Sequence, residues 1–266
     1  MRRNILCQKK LREKIVVCFL LYSIAPICIM SQLIKSLNEF GLKALQLIDE
    51  GNEDVNTVFS PYSTFVCVAM SISLFKNEIR AEILQSLQIT IDENQVDSIL
   101  NQLRDLINFE NTKTVLISNR IWTNENLNFS SETFLPNERI LGIPIEKVNF
   151  PQPGCNLINE EVNRATNGMI DQIISPTDLD PLTRIVLLNA IYFKCGWKEE
   201  FEEMEGRIRY IEFILVNGSK IHVTMLASTE QEFDYVENSE FSAVSIPYSE
   251  KDYDFVIILP KPKEEF

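Results

Sequence analysis

The sequence predicts an α+β fold, and three stretches carry that prediction. From Ile185 to Phe193 every residue but Asn189 is apolar, with no alternation of apolar and polar positions. A strand covered on both faces reads this way. Its Ile, Val, Tyr and Phe content, and Gly196 just beyond it, favour strand over the competing buried helix. Leu33, Ile34, Leu37, Phe40, Ala44, Leu45 and Ile48 recur at three- and four-residue spacing, which predicts an amphipathic helix. Glu212–Val216, the dipeptide Asn217-Gly218, and Lys220–Leu226 form a hairpin signal with a type I′ turn. With 266 residues, 45% hydrophobic and 24% charged, the chain suits one large or two ordinary globular domains.

In chain order, Ser31 is a candidate N-cap for the first helix, and Gly51 lies just past its end. Ser60 is a second candidate N-cap, with Pro61 as first helical residue. The stretch Phe65–Phe75 is apolar nearly all round, so its helix should be fully buried. Short helices follow at Glu78–Leu87 and Asn94–Asn108, the second with Val96, Ile99, Leu100, Leu103 and Leu106 on one face. Strands are expected at Thr114–Thr123 and Gly142–Phe150. A helix follows at Asn156–Ala165, with Gly168 suited to its C-terminus. Asn189 is then a polar side chain inside a dry strand. It is either a satisfied core amide or part of a polar cluster, and in both cases it needs hydrogen-bond partners.

The net charge is −13. The first thirty residues hold Arg2, Arg3, Lys9, Lys10, Arg12 and Lys14 against Glu13 alone, leaving 19 basic and 37 acidic residues beyond them, or −18. Such a surface repels nucleic acid and anionic membrane, so no nucleic-acid partner is expected. Cys7, Cys18 and Cys28 lie in the leader, and Cys67, Cys155 and Cys195 in the body. Three body cysteines cannot all pair, and no CxxC spacing occurs, which argues against a disulfide framework or a zinc site.

Any Ser-His-Asp or Cys-His site must use His222, the one histidine, which sits between Ile221 and Val223 in the predicted hairpin. The sequence holds no GxSxG elbow, P-loop, GxGxxG or HExxH. The acidic pairs Glu199-Glu200, Glu202-Glu203 and Glu264-Glu265 are consecutive and solvated. No catalytic residue, cofactor site or metal ligand is expected, and the chain does not read as an enzyme.

Residues 1–30 have the layout of a secretory signal peptide. A basic n-region precedes an apolar run from Ile15 to Met30, broken only by Ser23 and Pro26. The run is short of the roughly 20 apolar residues of a membrane span. Secretion is the expectation. Pro26 directly follows the small residues Ser23 and Ala25, which makes a poor cleavage site. An uncleaved anchor holding the chain at a membrane is therefore one alternative. Translation from Met30, giving a cytoplasmic chain, is another. Asn128-Phe129-Ser130 and Asn217-Gly218-Ser219 are glycosylation sequons, at Asn128 and Asn217.

Leu187-Leu188-Asn189-Ala190-Ile191-Tyr192-Phe193-Lys194-Cys195-Gly196-Trp197, with Phe201 four residues on, closely resembles the third strand of the large central sheet of serpins. Trp197 falls on the family's tryptophan at the top of that strand, and Cys195 stands where the family has Gly. Asn56-Thr57-Val58-Phe59-Ser60-Pro61-Tyr62-Ser63 resembles the start of the family's second helix. The resemblance implies that Ser60 and Ser63 sit beneath the sheet and hydrogen-bond toward Asn189, in the region the family calls the shutter. After this helix the family has Gly-Ala-x-Gly-x-Thr, where this chain has Leu74 to Ile79. Ser118 to Asn124 looks like the second strand of the sheet. Ile158, Asn159, Val162, Thr166 and Ile170 match a helix motif in which Glu161 replaces a tryptophan. That exchange is expected to weaken helix packing on the sheet by at most about 3 kcal/mol. Segments at 223–226, 233–235, 246–248 and 254–260 resemble later strands in the family's order, so the likeness spans 31–266.

The resemblance therefore implies a serpin domain over 31–266, with a large central mixed sheet, smaller sheets and a cluster of helices. It implies a serine-type endopeptidase inhibitor whose partner is a serine protease and whose cleaved reactive loop inserts beside 185–193. Residues 94–108 hold one Arg and two Asp, so no heparin site is carried over. No reactive loop, reactive bond or C-terminal strands are recognised before Phe266, so the chain by itself is expected to be inactive as an inhibitor. It is also expected to self-associate through the exposed sheet edge. A non-inhibitory binding or interaction protein is the alternative.

Overall fold

The structure is a computed structural model that describes residues 16–18, 30–50, 56–107, 112–128, 130–203, 210–215, 218–224, 226–227 and 232–261. The helices are α1 Met30–Asp49, α2 Pro61–Ala69, α3 Asn77–Ser86, α4 Val96–Ile107, α5 Ser131–Arg139 and α6 Gly154–Ala165. The strands are β1 Val16–Cys18, β2 Val115–Asn124, β3 Ile145–Val148, β4 Ile185–Phe193, β5 Glu202–Glu203, β6 Tyr210–Ile214, β7 Lys220–Thr224, β8 Leu226–Ala227, β9 Asp234–Glu237, β10 Phe241–Pro247 and β11 Asp254–Pro260. Two compact units result: Ala25–Lys194, and Met1–Ile24 together with Cys195–Phe266.

In the unit 25–194, α2 starts as its sequence dictates. Ser60 is extended, its hydroxyl caps the Ser63 N–H at 3.3 Å, and Pro61 opens the helix. The helix is shorter than expected. It ends at Ala69, and residues 70–74 form turns in which Met70 and Ile72 remain fully buried while Phe75 is 38% exposed. The apolar run reported burial rather than helix length. The buried Arg80 takes over the carbonyls of Ile72 and Phe75, at 3.0 and 2.8 Å from Nε, and holds the chain in this turn. Arg80 thus supplies the local order where the resemblance lost two glycines and a threonine.

The sheet of this unit has the order β3-β2-β4. β2 runs parallel to β3 and antiparallel to β4, with Ile117 opposite Ile191, Asn119 opposite Asn189 and Ile121 opposite Leu187. Trp122 of β2 and Leu188 of β4 share a core with Val148, Phe150 and the α6 residues Ile158 and Val162. Even-numbered positions of β2 and β4 therefore face α6, and odd-numbered positions, Asn189 among them, face the other way. Full cover of β4 was expected, but only Leu188 and Ala190 are buried and the rest of the strand is half-buried. Among the described strands β2 alone pairs with β4. An uninterrupted apolar run speaks for the faces of a strand and is silent about its edges, and here one edge has no neighbour among the described strands.

The other unit holds a four-stranded sheet, β1-β11-β10-β9, a two-stranded pair of β5 with β8, and the hairpin of β6 with β7. The hairpin turn differs from the expected two-residue type. Leu215 N–H bonds Ser219 O and Gly218 N–H bonds Leu215 O, both at 2.8 Å, with Gly218 at φ +80°. This is the pattern of a three-residue connection closed by a left-handed glycine. A one-residue-longer loop keeps Glu212 opposite the exposed His222. Asn217 lies outside the described residues.

Candidate functional site

The candidate site is the strand β4, its open edge and the polar groups behind it. Asn189 Nδ2 donates to Asn119 Oδ1 at 2.8 Å, across the antiparallel pair that sets the two asparagines opposite each other. Asn119 Nδ2 in turn reaches Ile107 O, the last residue of α4, at 3.4 Å. Asn189 Oδ1 is buried and has no hydrogen-bond partner. On α2, the Ser60 hydroxyl donates to Ser63 Oγ at 3.1 Å. The expected bond from Asn189 to Ser60 or Ser63 is not among the described contacts. The serines bind each other, and β2 supplies the partner instead. Asn189 is also half-buried rather than buried.

Cys67, one turn along α2 from Ser63, is hydrogen-bonded to the Asn189 backbone. Burial pushes its thiol up to about 11, against the smaller opposing effect of a hydrogen bond with the Asn189 backbone. At neutral pH such a thiol is protonated and unreactive. The cluster is thus made of two amides, two hydroxyls and a neutral thiol. It can pass hydrogen bonds between α2, α4, β2 and β4, but it holds no activated nucleophile or general base.

On the α6 side of the same sheet lies Glu161, in the position where the resemblance has a tryptophan. Glu161 was expected to weaken packing in place of a tryptophan. Its side chain is only 12% exposed and is held by three donors. Ser118 donates to Oε1, Arg120 Nε to Oε1 at 3.2 Å, and Arg164 Nη2 to both oxygens at 2.7 and 2.8 Å. Burial pushes the carboxyl up, but hydrogen bonds from Arg164 and Ser118 and the charge and hydrogen bond of Arg120 together leave it below its ordinary value. Arg120 also approaches Glu146 of β3 at 3.8 Å. An ion-pair network joins α6 to β2 where the resemblance has an apolar anchor. The signal was present in the sequence: Ser118, Asn119 and Arg120 make a polar break between Val115–Ile117 and Ile121-Trp122, and alternate positions put Ser118 and Arg120 on one face.

Trp197 lies in the other unit. It stacks on Tyr248 at 4.7 Å and 7°, and meets Phe201 and Phe255 edge-on at 5.5 and 5.6 Å. Phe201 continues the cluster to Phe233 at 6.4 Å. Cys195, in the glycine position, has Sγ 3.3 Å from Ser249 Oγ. Asn128 is exposed in the loop between β2 and α5.

The chain is similar to plasminogen activator inhibitor 1 of Bos taurus, 29% identical over 234 residues that cover 85% of this chain and 58% of the relative. It is also similar to leukocyte elastase inhibitor A of Mus musculus, 28% identical over 245 residues, 89% of this chain and 63% of that one. The chain therefore spans less than two thirds of the length of these relatives. A solved structure described as cleaved Serpin 42Da shares the fold, with a TM-score of 0.74 at 24% identity, covering 86% of this chain and 62% of the other. The family model of the serpins, serine protease inhibitors, matches residues 35–266, and this chain belongs to the serpin family.

Proposed function

We propose that this chain is the sheet-bearing body of a serine protease inhibitor. In this reading β4 receives an inserted strand, as the reactive loop does in serpins, a known case of strand addition to a sheet. The observation that carries the reading is that β4 pairs with β2 on one edge and with no described strand on the other. The open edge is nine residues long and carries no charged side chain. Behind it, Asn189 Oδ1 is an acceptor without a partner, so the polar cluster is not locked into its present arrangement. The similarity to plasminogen activator inhibitor 1 and leukocyte elastase inhibitor A supports a serine protease as the partner.

The test is strand annealing. An acetylated peptide of alternating alanine and threonine, added in excess, should raise the melting temperature and protect the β4 amides from hydrogen exchange. Unchanged exchange along Ile185–Phe193 would remove the receiving-edge reading. A product of the whole gene should also form an SDS-stable complex with a serine protease. Peptide annealing without any such complex, across trypsin-like and elastase-like enzymes, would favour the non-inhibitory binding protein instead.

A further inference from the structure

The segment Val16–Cys18 lies well ahead of the family match, which starts at residue 35, and yet it is built into a sheet. β1 pairs antiparallel with β11, with Val16 opposite Ile258, Val17 opposite Ile257 and Cys18 opposite Val256. We propose that the N-terminal segment is a built-in strand donor, retained in the folded chain, that covers the outer edge of β11.

Three observations converge on this. The first is the edge itself. β11 carries the apolar run Phe255–Leu259 and is paired on its inner side by β10 over seven residues, Phe241–Pro247. On its other side β1 is its one partner among the described strands, so residues 16–18 meet the N–H and C=O groups there along an apolar strand, the kind of edge that otherwise recruits a second chain. The second is composition. Ile15-Val16-Val17-Cys18-Phe19 is rich in β-branched and aromatic residues, and no proline intervenes before Pro26. These residue types fit a pleated, half-buried surface. The third is charge. The six basic residues at positions 2–14 immediately precede β1, while Cys195–Phe266, the stretch that shares its unit, holds 7 basic and 16 acidic residues, or −9. Opposite charges hold the segment near its acceptor over a range of about 10 Å at ordinary ionic strength, beyond which salt screens them.

The same stretch has a signal-peptide layout, and the two fates exclude each other. Cleavage after Ser23 or Ala25 would remove the strand. The inference is independent of protease inhibition and of strand addition at β4.

A cysteine trap tests it directly. In the full chain, Cys7, Cys28, Cys67, Cys155 and Cys195 are replaced by Ser, leaving Cys18, and Val256→Cys is introduced. Opposed residues of an antiparallel pair have Cα atoms about 4.5–5.5 Å apart, within disulfide reach. Mild oxidation should link position 18 to position 256 within one chain, as read by mass spectrometry of non-reduced peptides. Phe255→Cys in the same background should stay reduced, because its side chain leaves the opposite face of the strand. The natural sequence gives a second readout that needs no substitution. Outer-edge amides of β11 should exchange at least about tenfold faster in a chain starting at Met30 than in the full chain. Equal trapping at 255 and 256, identical exchange in the two chains, or a mature protein whose N-terminus lies beyond Cys18 would each overturn the proposal.

Discussion

Asn189 and Glu161 are polar groups set against the same three-stranded sheet, one on each side, and they are accommodated in opposite ways. Glu161 sits where the resemblance calls for a large apolar anchor, and it is held by Ser118, Arg120 and Arg164. Asn189 sits where the family has the same residue, yet only one end of its amide is bonded, to Asn119, and Oδ1 is left bare. A carboxylate behind a sheet is tolerable only when its lone pairs are filled, because desolvation of an unpaired charge costs several kcal/mol. A neutral amide with one unfilled acceptor costs about 1–3 kcal/mol, which a domain of this size can carry. The difference separates a fixed anchor, which ties α6 to β2, from a hydrogen-bond cluster in which one acceptor is left unfilled.

If that distinction is right, the largest effect should come from Glu161. Glu161→Ala strips Arg120 and Ser118 of their shared acceptor and should cost about 2–4 kcal/mol. The melting temperature should fall by several degrees, at about 2–4 °C per kcal/mol for a chain of this length. Glu161→Gln should fall between the two. Acid should reveal the same anchor. The lowered Glu161 value means that its stabilisation is fully present above the ordinary carboxylate range and is lost as pH falls through the lowered value. Below about pH 4 the natural chain should therefore lose melting temperature faster than Glu161→Gln, which has no carboxylate to protonate. Identical pH profiles would mean that the network does not stabilise the fold.

Asn119→Ala should have the next largest effect. It leaves the Asn189 amide without its one partner and should cost about 1–3 kcal/mol. The double substitution Asn119→Ala with Asn189→Ala should be less damaging than the sum of the two, with a coupling of about 0.5–1.5 kcal/mol by chemical denaturation. Strict additivity would mean that the crossed amides do not act as a pair.

Ser60→Ala should cost about 1 kcal/mol through loss of the helix cap. Ser63→Ala should cost less than half of that, because the Ser63 N–H keeps its Ser60 acceptor in the natural arrangement. A Ser63 effect equal to that of Ser60 would show that the hydroxyl has a partner beyond its neighbour, and would bring the serines back toward Asn189.

Much of this chain was legible one residue at a time. The period of the α1 apolar residues, the Ser60-Pro61 helix start, the buried face of α4 and the nine apolar residues of β4 each follow from local spacing and side-chain type. They need no knowledge of what packs against them, and so the α+β class and the order of elements could be read directly. The family likeness rested on the same local words, above all the run from Leu187 to Trp197.

What tertiary structure decided was pairing. Asn119 and Asn189 are 70 residues apart, and only the antiparallel register of β2 with β4 sets them opposite each other. Glu161 looked like a lost anchor because a sequence shows a charge but not the guanidinium groups and hydroxyl that a helix crossing a strand brings to it. Arg80 holds the turn after α2 through carbonyls five and eight residues back, in a geometry no helix period encodes. Phe65–Phe75 announced burial without saying where the helix would stop, and β4 announced apolar faces without saying which strand would pair with its edge. Side-chain period determines which face a residue takes. The partner on that face, and whether an edge has a neighbour, depend on contacts between distant segments that fold together only as a whole.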